Sequence, residues 1–165
     1  MTDDRLSDTQ RAAWVAYLDL SRVFFTELER DLQRVASVSV AEYELLAPLL
    51  AQHPEGLRPS QLGAAADWDT SRVSHQLRRM ERRGLIQRVR DPENARAKIV
   101  ALTDLGLTAA RAAVPALEGS VRTLLFDPLD DQQTDALQSL SRAVLDALAS
   151  RRSQEAGAVV EFPRI

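Results

Sequence analysis

"LRPSQLGAAADWDTSRVSHQLRRMERRGL", Leu57 to Leu85, holds two short helical patterns separated by a break, and its reading decides the fold. Pro59 suits a first helical position and Gln61 the third, so a short helix opens here and buries Leu62 with Ala65 or Ala66. "DWD" ends it. Asp67 can adopt the left-handed conformation and Asp69 can cap the next helix, predicted over about Thr70 to Arg83 and closed by Gly84. Two short helices joined by about three residues form a helix-turn-helix.

On the second of these helices, advancing ~100° per residue from Val73 brings Leu77 and Met80 within ~40° of it, a buried stripe. Ser71, His75, Arg78 and Arg82 fall on the opposite side, with Arg72 and Arg79 beside them, whereas Glu81 lies off this arc and Arg83 lies nearer its border. A merely solvated face normally mixes signs of charge; this one is almost purely cationic. Residues 72–98 carry nine basic and three acidic groups in a chain of formal net charge −3, so the positive charge is concentrated and the remainder is acidic. Such asymmetry fits a localised polyanion, with the acidic remainder keeping the rest of the molecule off it.

Downstream, "LIQRVR" and "AKIVALT" are β-prone runs around "DPENAR", whose Asp, Pro and Asn suit a turn, so a hairpin is expected, bringing Arg88, Arg90, Arg96 and Lys98 beside the basic helix. The second helix of a helix-turn-helix enters the major groove with its N-terminal residues against base edges. The DNA-contact set read from the sequence is therefore Ser71, Arg72, Ser74, His75, Arg78, Arg79, Arg82, Arg88, Arg90, Arg96 and Lys98, with Arg72 and His75 as the readout candidates.

Upstream, apolar residues recur from Gln10 to about Val35 at Trp14, Tyr17, Leu18, Phe24, Phe25, Leu28, Leu32 and Val35, which predicts a long amphipathic helix. A second helix follows, with Ser39 as N-cap, Pro48 inside it, and "HPEG" as its stop. Beyond the hairpin, Thr103 caps a helix expected to reach about Phe126 and to bend near Pro115 and Gly119. Asp130 and Gln133 have capping-box spacing ahead of a last helix with Leu137, Leu140, Val144, Leu145 and Leu148 on one side. From about Arg151 a loosely docked tail is expected.

The fold class is thus mainly α: a winged helix-turn-helix domain (39–103) with a hairpin wing, flanked by long N- and C-terminal dimerisation helices (10–35 and 104–150), with a 151–165 tail. An apolar stripe along a helix of ~25 residues exceeds what a small winged domain covers, so a homodimer is expected.

Composition excludes several functions. With no cysteine there is no disulfide, thiolate ligand or thiol redox switch, and with two histidines no dedicated metal site is expected. No cofactor is expected. No nucleophile and base share a recognisable motif and no glycine-rich phosphate loop occurs, so an enzyme is not expected. The polar start "MTDDRLSDTQ" and the lack of a long apolar run predict a cytoplasmic protein that does not enter a membrane.

"AEYELL", "SRVSHQLRRMERRGLI" and "RDPENARAKIVALTDLG" together resemble the MarR family of bacterial winged helix-turn-helix transcription regulators, over roughly residues 10–150. The resemblance implies a homodimer with interlocked terminal helices, a pseudo-palindromic double-stranded DNA operator, and a wing-tip arginine, here Arg96, in the minor groove. The family often has Asp-x-Arg at that tip; here Asn94-Ala95-Arg96 lacks the acid. Trp68 stands where a smaller aliphatic residue is usual and is read as core between the two short helices. The resemblance also implies repression relieved by a small anionic or aromatic effector, for which Arg11, Trp14 and Tyr17 are the candidate contacts. The alternative from another class is a winged-helix protein-interaction module that sets its arginines on an acidic protein.

Overall fold

The computed structural model describes residues 5–91 and 97–157. In chain order the elements are α1 (Asp8–Ala36), α2 (Val40–Ala51), α3 (Pro59–Ala66), α4 (Thr70–Arg82), β1 (Ile86–Arg90), β2 (Lys98–Leu102), α5 (Asp104–Val121), a π-helical turn (Arg122–Phe126) and α6 (Asp131–Gly157). They fall into two compact units that divide after Arg122.

The helix starts follow from side-chain caps. Ser7, Ser39 and Thr103 each accept a hydrogen bond from the backbone N–H three residues on, and Gln10 and Glu42 complete capping boxes for α1 and α2. Pro59 occupies the first turn of α3, where its missing N–H costs nothing. Helix α3 ends on Asp67 in the left-handed conformation (φ 52°), and Asp69 caps α4 by accepting from the Arg72 N–H. At the other end of α4, Gly84 (φ +72°) supplies the left-handed residue, its N–H donating to the Glu81 carbonyl while that of Leu85 donates to Met80. This paired closure turns the chain directly into the wing.

Strands β1 and β2 pair antiparallel from Ile86↔Leu102 to Arg90↔Lys98. One pairing had no sequence signal: Leu57 bridges Val100, with N–H···O distances of 2.9 and 2.7 Å in the two directions. Gly56 permits it, since it has φ +79° and a Cβ there would stand 2.4 Å from the Val100 carbonyl oxygen.

The core of the first unit is continuous through every element. Leu28 and Leu32 of α1, Leu45, Leu46 and Leu49 of α2, Leu62 of α3, Val73, Leu77 and Met80 of α4, Ile86 and Val100 of the hairpin, and Ala109, Ala110 and Ala113 of α5 are all buried. Ala66, not Ala65, packs with Leu62. The small alanines let α5 approach closely, and α1 lies against it. The apolar stripe of α1 is therefore split: its C-terminal part is covered by its own chain, while Trp14, Val15, Tyr17, Leu18 and Phe25 stay exposed.

In the second unit, Asp130 and Gln133 form the expected capping box, at 3.0 and 2.7 Å. Helix α6 exposes Leu140, Val144, Leu145 and Leu148. Two expectations need correction. The helix does not end near Arg151 but runs to Gly157, because nothing in "RRSQEAG" breaks it before the glycine. Helix α5, expected to reach about Phe126, keeps α-helical geometry only to Val121, with Pro115 inside it, and gives way to the π-helical turn at Arg122–Phe126.

Candidate nucleic-acid interface

Helix α4 turns Val73, Leu77 and Met80 into the core and leaves Ser71, Arg72, His75, Arg78, Arg79 and Arg82 exposed. Ser74 is half-buried, so it belongs to the border of the face. Asp69 holds the first turn, with its Oδ1 2.9 Å from the Arg72 N–H, and thereby fixes where Arg72 and His75 emerge. An open depression of about 550 Å³ at this end is lined by Ala41, Trp68, Asp69, Arg72, His75 and Gln76, among others.

The basic residues separate into groups, of which periodicity had set only Arg83 apart, at the border of the face. Arg83 belongs to the scaffold: its guanidinium donates to Glu42 and to the carbonyl of Ser37. Arg88 is half-buried and directs Nε to Glu81 Oε2 at 3.4 Å, so it also docks the wing on α4. Arg90 and Lys98 are exposed and directly opposite each other in the hairpin register. Two like charges in that position destabilise a hairpin, and an anion between them removes the penalty. At the wing base, Asp91 is buried and accepts from Arg58 Nε at 2.8 Å, tying the end of β1 to the N-terminus of α3. Arg96, with Asn94 and Ala95, lies outside the described residues.

Two features of this face escaped the sequence reading. Gln76 lies ~60° from Val73 on the wheel, at the edge of the apolar stripe, and the fold takes it to 6% exposure. Its Nε2 has no hydrogen-bond partner among the described residues. Trp68 packs against the core as expected, but also carries the Arg72 guanidinium on its ring, 3.9 Å from the centroid. The four-residue spacing of the two was the available signal.

The candidate effector residues lie elsewhere. Arg11, Trp14 and Tyr17 are exposed on successive turns of α1, and the Trp14 and Tyr17 rings stack with centroids 5.8 Å apart and planes 25° from parallel. Among the described residues no cluster of acids and histidines is placed to hold a metal ion, and no helix is long and apolar enough to cross a membrane.

A model of the MarR family matches residues 38–98. The structure is similar to that of AbsC, a MarR family transcriptional regulator from Streptomyces coelicolor, with a TM-score of 0.75 and 31% identity over 88% of this chain and 98% of that one. It is also similar to Sco3205, a MarR family transcriptional regulator of the same organism solved in complex with DNA, with a TM-score of 0.74 and 30% identity over 87% and 94% of the two chains. The PcaV transcriptional regulator from Streptomyces coelicolor, solved in complex with its natural ligand, gives a TM-score of 0.66 and 26% identity over 87% and 98%. No curated protein sequence gives a significant match.

Proposed function

The chain belongs to the MarR family of transcriptional regulators, and from that premise we propose how it works: as a homodimer it presents two copies of α4 to successive major grooves of a pseudo-palindromic operator, with the wing beside them. The observation that carries this is the face of α4. Arg72, Arg78, Arg79 and Arg82 stand exposed opposite a buried Val73–Leu77–Met80 stripe, with Arg90 and Lys98 of the hairpin also exposed.

In this reading the N-terminal turn, with Ser71, Arg72, Ser74 and His75, faces base edges. Arg78, Arg79, Arg82, Arg90 and Lys98 neutralise phosphates, which supplies most of the affinity and none of the sequence preference. Arg88 joins them while docked on Glu81. Arg96 is assigned to the minor groove on the family resemblance.

The dimer is supported by the apolar side chains that one chain leaves exposed on the N-terminal part of α1 and on α6. Apolar side chains left exposed along one helix mark a partner interface on that helix. The regulator is assigned as a repressor released by a small anionic aromatic effector. The stacked Trp14 and Tyr17, with Arg11 a turn away, provide ring faces and a cation for such a compound. Cytoplasmic action follows from the DNA partner.

The test is a binding titration with duplexes from the DNA upstream of the gene, followed by footprinting. Protection of a two-fold symmetric site, with sedimentation equilibrium at twice the chain mass, is expected. Binding that is indifferent to sequence, or a monomer at micromolar concentration, would overturn the reading.

A further inference from the structure

We propose that Trp68 is a positioning residue for DNA readout: its indole is the platform on which the Arg72 guanidinium is held for hydrogen bonding to a base edge. This rests on the assignment of Arg72 to the major groove and deepens it.

Both ends of Arg72 are restrained. Its backbone N–H is capped by Asp69 Oδ1 at 2.9 Å, and its guanidinium carbon lies 3.9 Å from the centroid of the Trp68 ring. That separation is a cation–π contact. The platform is itself fixed, since Trp68 is half-buried, packs against the core, and donates its backbone N–H to the Gly63 carbonyl at 2.9 Å. An exposed arginine ordinarily samples many rotamers, and holding it in one before binding removes an entropic cost from complex formation. Among the described residues Arg78, Arg79 and Arg82 have no such platform.

Stacking and readout use different parts of the guanidinium. A ring stacked on a guanidinium covers one of its faces, whereas the N–H donors lie in the plane and point outward from its edge. Arg72 can therefore keep the ring contact while donating two parallel hydrogen bonds to guanine O6 and N7. A phosphate contact needs no such orientation. Trp68 thus contributes to sequence discrimination without touching a base, and its loss acts on operator binding far more than on non-specific binding.

The experiment is a double-mutant cycle by fluorescence anisotropy at one fixed salt. Wild type, Trp68→Leu, Trp68→Phe, Arg72→Ala and the Trp68→Leu/Arg72→Ala double variant are titrated with the footprinted operator duplex and a random duplex. Trp68→Leu is expected to weaken operator binding about tenfold and random binding less than about twofold, with Trp68→Phe between it and wild type. Arg72→Ala is expected to cost several-fold less in the Trp68→Leu background than in wild type. Additive losses, or equal losses on both duplexes, overturn the proposal and leave the indole as core filling. A wild-type protein that does not distinguish the duplexes overturns the readout assignment itself. Should Trp68→Leu fail to fold, the free protein still decides. In a Trp14→Phe background Trp68 is the sole tryptophan, and Arg72→Ala is expected to change its emission. Unchanged emission there removes the contact and the proposal with it.

Discussion

The guanidinium of Arg83 reaches the carboxylate of Glu42, forty-one residues earlier in the chain, and closes on it where that side chain is only 3% exposed. The same carboxylate accepts the Ser39 N–H at 2.9 Å, and Arg83 also donates to the carbonyl of Ser37, the left-handed residue that ends α1. One arginine thus joins the end of α4 to the corner between α1 and α2. Its neighbours Arg78, Arg79 and Arg82 face solvent.

This division predicts opposite phenotypes for arginines on one helix. Arg83→Ala leaves a buried carboxylate without its cation and should cost about 2–3 kcal/mol of stability. Arg78→Ala should change stability by less than ~0.5 kcal/mol while weakening DNA binding on operator and random duplex alike. Urea unfolding beside DNA titration checks both. A stable Arg83→Ala protein would mean that Glu42 finds another partner.

DNA affinity should fall steeply with salt. Arg78, Arg79, Arg82, Arg90 and Lys98 on each of two lobes allow about eight phosphate contacts, for which log K should decline with a slope of roughly −7 against log salt. A slope near zero points instead to an acidic protein as the partner of this face.

Gln76 is nearly buried and its Nε2 is unpartnered among the described residues. Replacing it by an apolar side chain of similar volume, Gln76→Met, removes that desolvation cost and should raise stability by about 1 kcal/mol. The urea midpoint reads this directly. A loss of stability would show that the amide is hydrogen-bonded in solution.

Packing of α1 on α5 should weaken in acid. Asp31 accepts from the Ser120 hydroxyl at 2.6 Å and from Arg34, and these bonds, the Ser120 bond foremost, hold its carboxyl below the usual carboxylate value. The proton therefore binds the unfolded chain more readily than the folded one. Its contribution is complete above the unfolded carboxylate pKa and is lost as pH falls through the lower folded value. Asp31→Asn should flatten the stability profile below about pH 4; an unchanged acid limb would place the sensitivity on other carboxylates.

Much of this protein was determined locally by its residues. Periodicity placed Val73, Leu77 and Met80 on one side of α4 and the arginines on the other, because a helix of fixed pitch turns spacing into facing. Caps at Ser39, Asp69 and Thr103 and the closing Gly84 were equally legible, since each satisfies backbone groups within a few residues. What only the tertiary structure decided involves partners distant in sequence, or a choice between equivalent local options. Leu57 pairs with Val100, Asp91 with Arg58, and Glu42 with Arg83, and no short-range pattern encodes such meetings. The division of the α1 stripe between the chain's own α5 and an exposed remainder likewise depends on where α5 lies. Arginines that look alike on a helical wheel take different roles because one end of α4 meets the α1–α2 corner, while the other meets the ring of Trp68.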